Sequence, residues 1–328
     1  MALTRREFLG LLGCSGMAAA LPGFVGYPQA AETIKKAIQE KVGNLPVIWM
    51  HGQSCTGCSV SVLNTVHPDI VEVLTETISL EFHPNVMAAS GNLAMSVAER
   101  AIAELKGKFV LVVEGSIPTG EHLDYCTVGE REGKPVTIEE WIKELGGAAQ
   151  AVLAVGTCAA FGGIPAGRPN PTEAKSVRDV IPEATIISIP GCPAHPDWVV
   201  GTVAHVLLFG VPELDRLGRP KMFYGKLVHE QCERRADFEN DRMAADFGDE
   251  GCLYGLGCKG PIAYCDTPIR GWNDKGNWCV RSGSPCIGCT EPTFPDHEGE
   301  GLYARLPIEK TYGIAWTGPY AGKKALAG

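Results

Sequence analysis

Positive charge is in short supply in this sequence: 29 Lys and Arg stand against 38 Asp and Glu, for a net charge of −9. That balance argues against a nucleic-acid partner and favours basic protein partners. Beyond the first 30 residues no stretch reaches 18 consecutive apolar residues, and the tail 301–328 contains no anchor helix. No transmembrane anchor is therefore expected. No Gly-rich phosphate loop follows a strand-like run, so neither a nucleotide nor a flavin is implied. Internal repeats and low-complexity tracts are also missing.

What is present begins with MALTRREFLG LLGCSGMAAA LPGFVGYPQA. Arg5 and Arg6 precede an apolar, Gly- and Ala-rich stretch too short to span a membrane, which reads as a signal peptide over residues 1–30. T-R-R-E-F-L resembles the twin-arginine export signal, which would carry the chain folded to the periplasm. An ordinary secretion signal, or lipoprotein cleavage at Cys14, are the alternatives. Folded export matters for cysteine chemistry. A chain that folds before export can take up metal in a reducing compartment, whereas one that folds outside pairs its thiols as disulfides.

Residues 46–210 alternate strand-like and helix-like segments. PVIWM (46–50), ISLEF (78–82), FVLVVEG (109–115), AVLAVG (151–156) and TIISIP (185–190) read as strands. Between them LAMSVAERAIAEL (93–105), TIEEWIKEL (137–145) and DWVVGTVAHVLLF (197–209) read as helices, the second capped by Thr137 with Glu140 three residues on. This alternation predicts an α/β fold, a flavodoxin-like parallel sheet covered on both faces. Residues 211–300 change character: Gly, Pro, Cys and acids dominate and periodicity is lost. Such a segment buries too little apolar surface to fold alone, so disulfides or metal must hold this irregular second domain.

The chain has 13 cysteines. Cys55 and Cys58 (CTGC), Cys158 (VGTCAAFGG) and Cys192 (IPGCPAHPDW) each follow a predicted strand, so all four lie beyond the carboxyl edge of one parallel sheet, where ligand crevices form. Four thiolates there suit an iron–sulfur cluster or zinc. A thioredoxin-like redox pair at C-x-x-C leaves Cys158 and Cys192 unexplained. The helix after Cys58 would add its N-terminal dipole. His229 and Cys232 (VHEQC), with Cys252 and Cys258 (GCLYGLGC), make a second set of one imidazole and three thiols, suited to structural zinc or to a cluster. Cys265, Cys279, Cys286 and Cys289 make a third. Setting aside Cys14 and Cys126, the latter read as a small buried hydrophobe, leaves eleven cysteines; His229 completes three sites of four. Glu114 ends its strand on the same edge as the first set. It either lies near that site or a proton route, or satisfies loop N–H groups.

Seven stretches, CTGCSVSVLN, VEGSIPTG, VGTCAAFGGIPA, IPGCPAHPDWVVGT, GRPKMFYG, GCLYGLGCKGP and PCIGCTEPTFPD, together resemble the small, electron-transferring subunit of nickel–iron hydrogenases over nearly the whole chain. The resemblance implies a proximal [4Fe–4S] cluster on Cys55, Cys58, Cys158 and Cys192, a distal [4Fe–4S] cluster on His229, Cys232, Cys252 and Cys258, and a medial cluster on Cys265, Cys286 and Cys289. It implies an obligate heterodimer whose large subunit holds the nickel–iron site, so no catalytic residue for H₂ is expected in this chain. Most periplasmic members carry Pro where this chain has Cys279, and their medial cluster is [3Fe–4S]. The selenium-containing branch resembles this chain in offering a fourth Cys, which implies a medial [4Fe–4S] cluster of lower potential. Oxygen-tolerant members have two further cysteines where this sequence reads Gly57 and Gly163, so their modified proximal cluster is not expected.

Two further expectations concern partners. The stretch DFENDRMAADFGDE (237–250) carries six acids and one Arg between distal ligands, and would steer a basic periplasmic cytochrome c to the distal cluster. A subunit of respiratory NADH dehydrogenase with a related proximal-cluster domain, or a zinc- or disulfide-stapled binding protein, are the competing classes.

Overall fold

The computed structural model describes residues 45–297 and 301–305. The twin-arginine segment, Cys14 and most of the tail lie outside the described residues. The chain divides into two compact units, Met1–Met222 and Phe223–Gly328.

In the first unit, β1 (Leu45–His51), β2 (Ile78–Phe82), β3 (Val110–Glu114), β6 (Ala151–Val155) and β7 (Ile186–Ile189) form one sheet in the order β2-β1-β3-β6-β7. Every neighbouring pair is parallel. This is the flavodoxin-like order, with its switch point between β1 and β3. β3 and β6 are buried along their whole length, as strands covered on both faces must be. A small antiparallel hairpin, β4 (Thr127–Arg131) and β5 (Lys134–Thr137), was not foreseen from the sequence. Its two-residue turn, Glu132-Gly133, has positive φ at both positions, the geometry that matches strand twist.

The α-helices of six or more residues are α1 (Gly57–Leu63), α2 (Gly91–Glu104), α3 (Ile138–Ala148), α4 (Gly156–Phe161) and α5 (Pro196–Phe209). Helix α3 starts at the expected capping box: Thr137 Oγ1 accepts from Glu140 N (3.2 Å) and the Glu140 carboxylate accepts from Thr137 N (2.8 Å). Trp141 on α3 is fully buried and donates its indole N–H to Val128 O (2.7 Å), tying the hairpin to the sheet core. Cys126 is half-buried against the same core. Helix α5 is buried on nearly every side, so it reads as a continuous apolar run without a polar stripe.

The second unit is irregular. Its longest described helix, Arg235–Glu239, has five residues. Polar ties stand in for regular structure: Arg270, 4% exposed, pairs with Asp266 (2.6 Å) and lies over the Phe223 ring. Glu291 accepts from Tyr264 N (2.7 Å).

Candidate metal centres

In the first unit the thiols cluster because the strands are parallel. β1 leads into Cys55 and Cys58, β6 into Cys158, and β7 into Cys192, all at one edge. The thiols feel one another: Cys158 and Cys192 both raise the pKa of Cys58, and Cys192 and Cys55 that of Cys158. Burial is the larger cause in each case, followed for Cys58 by the charge of Glu114. Cys158 is pushed up to about 11. Two glycines leave the thiols room. Gly156 has φ +84°, and a Cβ there would sit 2.6 Å from Cys58 Sγ; Gly163 has φ +53°, and its Cβ would sit 2.8 Å from Cys158 Sγ. Ala194 N donates to Cys58 Sγ at 3.5 Å. Cys55 and Cys192 are exposed in the isolated chain.

Glu114 is 2% exposed and ends β3, opposite His51 of β1 in register. Its carboxylate accepts from Cys58 N (3.1 Å), Ser59 N (3.0 Å), Ser59 Oγ (2.5 Å), Ser54 Oγ (2.9 Å) and Trp49 Nε1 (3.3 Å). His51 Nε2 lies 3.3 Å away. Burial opposes ionisation, yet hydrogen bonds from His51, Ser59 and Ser54 bring the pKa down to about 2. The free N–H groups at the start of α1 therefore serve Glu114, so the helix dipole expected to favour the thiolates is answered by a carboxylate. Ser59 Oγ also meets His83 Nε2 (3.1 Å), whose pKa burial and neighbouring His51 lower to about 4. His51, Ser59 and His83 were missed by sequence reasoning. The available signal was that His51, His83 and Glu114 end or follow three strands that prove adjacent.

In the second unit one cavity is lined by His229, Cys232, Cys252 and Cys258, with Leu253 and Pro261 adding apolar wall. The structure thus brings together all four members of the second predicted set. His229 stacks edge-on against Phe238, ring centroids 4.8 Å apart. Burial, then the nearby Arg235 charge, lowers its pKa, keeping the imidazole neutral and able to ligate.

In the third set Cys265 and Cys286 are buried, Cys289 is half-buried and Cys279 is at the surface. Cys286 is raised by burial, then by Cys258, Cys265 and Cys289; Cys279 acts on both Cys258 and Cys265. One local pattern recurs. The N–H two residues on donates to the thiol at Cys232 (3.4 Å), Cys258 (3.5 Å), Cys252, Cys265 and Cys286. Such bonds favour the thiolate form and are a lever on cluster potential.

The donor chemistry fits iron–sulfur groups. Buried thiols with raised pKa values become ligands only where a cation stabilises the thiolate.

Comparison with known proteins agrees. The family described as the C-terminal part of the NiFe/NiFeSe hydrogenase small subunit matches residues 224–300, and that described as NADH ubiquinone oxidoreductase, 20 Kd subunit, matches residues 55–206. The periplasmic [NiFeSe] hydrogenase small subunit of Desulfomicrobium baculatum is 46% identical, over 90% of this chain and 97% of its own length. The hydrogenase-2 small chain of Escherichia coli strain K12 is 40% identical, over 90% of this chain and 79% of its own. Among solved structures, the reduced, active Ni-Fe-Se hydrogenase of Desulfomicrobium baculatum matches with a TM-score of 0.77 at 46% identity, covering 80% of this chain and 100% of that one. The second family match alone would leave the NADH dehydrogenase reading open, but the first and the full-length relatives close it. The chain belongs to the small-subunit family of the NiFe and NiFeSe hydrogenases.

Proposed function

We propose that this chain conducts electrons between the nickel–iron or nickel–iron–selenium site of a large subunit and an external acceptor, in the reaction H₂ ⇌ 2H⁺ + 2e⁻, by way of three [4Fe–4S] clusters. The observation that carries it is the single cavity lined by His229, Cys232, Cys252 and Cys258, a ligand set that a disulfide framework would not need. Cys55, Cys58, Cys158 and Cys192 hold the proximal cluster, and Cys265, Cys279, Cys286 and Cys289 the medial one. When bound, such clusters take up and release single electrons. The chain's own residues place thiolates, donate N–H groups to them and keep His229 neutral.

Membership of the family makes this chain one half of a heterodimer with the active site on its partner. The first unit accords with that. Val60 and Leu63 on α1, with Val66 and Val71, are exposed apolar residues that follow the exposed Cys55 in sequence. The twin-arginine motif supports a periplasmic address reached in the folded state, and the relative from Desulfomicrobium baculatum is named as periplasmic. Among the described residues no helix is long and apolar enough to cross a membrane.

A periplasmic cytochrome c is the acceptor in this reading. Two acids of the 237–250 stretch are engaged: Asp237 pairs with Arg242, and Glu239 with Arg235 (2.7 Å). Exposed Asp246 and Glu250 are the better docking charges. Purified heterodimer should be brown, with acid-labile sulfide, and should bleach under H₂; a colourless protein would end the reading. D246N with E250Q should slow cytochrome c reduction several-fold at low salt and flatten its salt dependence. Unchanged kinetics would remove the cytochrome from it.

A further inference from the structure

Lys259 is fully buried, and its place is unusual for a lysine. Its Nζ donates to Gly257 O (2.9 Å), Leu302 O (3.0 Å) and Ala304 O. Three carbonyl acceptors match the three N–H bonds of an ammonium, whereas a neutral amine has only two. The same residue joins two ligand segments. Its N–H donates to Cys286 O (2.7 Å), it follows Cys258 directly, and the next residue, Gly260, donates its N–H to Cys258 Sγ (3.5 Å). Its stem lies against Gly288, inside the Cys286–Cys289 loop: a Cβ on that glycine would stand 3.1 Å from Lys259 Cβ. The residue that carries this buried ammonium is thus tied through its backbone and stem to two of the three ligand sets.

We propose that Lys259 is the residue that holds up the reduction potentials of the iron–sulfur groups at Cys258 and at Cys286. Adding an electron to a cluster adds negative charge, and a nearby cation in a dry, weakly screening environment favours that state. Lys259 touches no reacting atom; it acts through the ligands. The inference rests on the assignment of Cys258 and Cys286 as cluster ligands.

The test is a redox titration of the intact heterodimer, followed by electron paramagnetic resonance, for the wild type, K259Q and K259R. K259Q keeps amide donors for two carbonyls but removes the charge. At a fixed poise its medial and distal clusters should show an oxidised-to-reduced ratio about tenfold higher, a fall of about 59 mV for a one-electron couple. K259R keeps the charge and should titrate with the wild type. K259Q with full iron content and wild-type ratios would overturn the role of Lys259 while leaving the ligands intact. Loss of iron in both variants would assign the residue to folding and overturn it too. A wild type with no iron–sulfur signal would instead overturn the ligand assignment.

Discussion

The two units reach a defined structure by different means. The first has a five-stranded sheet, helices of up to 14 residues and a continuous apolar core that includes Trp141, Leu111 and Val152. Each such side chain contributes roughly 1.5–3 kcal/mol by burial. The second unit has no described helix longer than five residues, and its buried groups include cysteines, Lys259 and Arg270. On the proposed reading, a metal site sits on a fold in the first unit, whereas metal binding is part of the folding free energy in the second. Both present thiols, yet the large described apolar cluster lies in the first unit, which the account therefore expects to stay folded without iron.

Iron removal should split the units most sharply. Anaerobic chelation of the heterodimer, followed by hydrogen exchange, should collapse amide protection across 228–297 while β1, β3 and β6 stay protected. Equal loss in both units would erase the contrast.

A narrower break is Gly156→Ala. It asks for φ +84° with a Cβ 2.6 Å from Cys58 Sγ. The strain is about 1–2 kcal/mol, and the displaced thiol adds to it. The variant should keep its sheet, by circular dichroism, but lose the proximal cluster's signal and retain those of the second unit. A full proximal signal would show that the glycine is not needed there.

The smallest effect concerns acid. His83 faces His51, Ser59, Glu114 and the Trp49 ring, and its pKa is lowered to about 4 from an ordinary 6.5. Between those values the unfolded chain binds more protons than the folded one. The stabilisation is full above about pH 6.5 and is lost as the pH falls to about 4. Melting of the first unit should become less steep in pH over that window in His83→Gln; an unchanged slope would place the acid sensitivity elsewhere.

Much of this was legible in the sequence. Buried strands announced themselves as β-branched runs, and parallel order alone put Cys55, Cys58, Cys158 and Cys192 on one edge. The β4–β5 hairpin escaped because VGEREGKPV has almost no apolar alternation; only Glu132-Gly133 marks its turn. The Glu114 network escaped for another reason. Its members are 65 residues apart or less in sequence, but they meet only through the strand order β2-β1-β3, which no local pattern encodes. Lys259 escaped because exposure is the rule for lysine, and its acceptors are backbone carbonyls without a sequence signature. Nor could spacing alone separate zinc from a cluster at His229.

The central claim is that twelve side chains make three sites of four ligands, with Cys279 completing the medial one. The most direct measurement is the spin count of the oxidised heterodimer by electron paramagnetic resonance, compared with Cys279→Pro. A fourth thiolate supplies the corner that a three-thiol site leaves without a protein ligand, and it lowers the medial potential by adding negative charge. The account predicts no [3Fe–4S]⁺ signal in the wild type and one approaching a single spin per molecule in the variant, with the other two clusters intact. A [3Fe–4S]⁺ signal of about one spin in the intact wild type would contradict it.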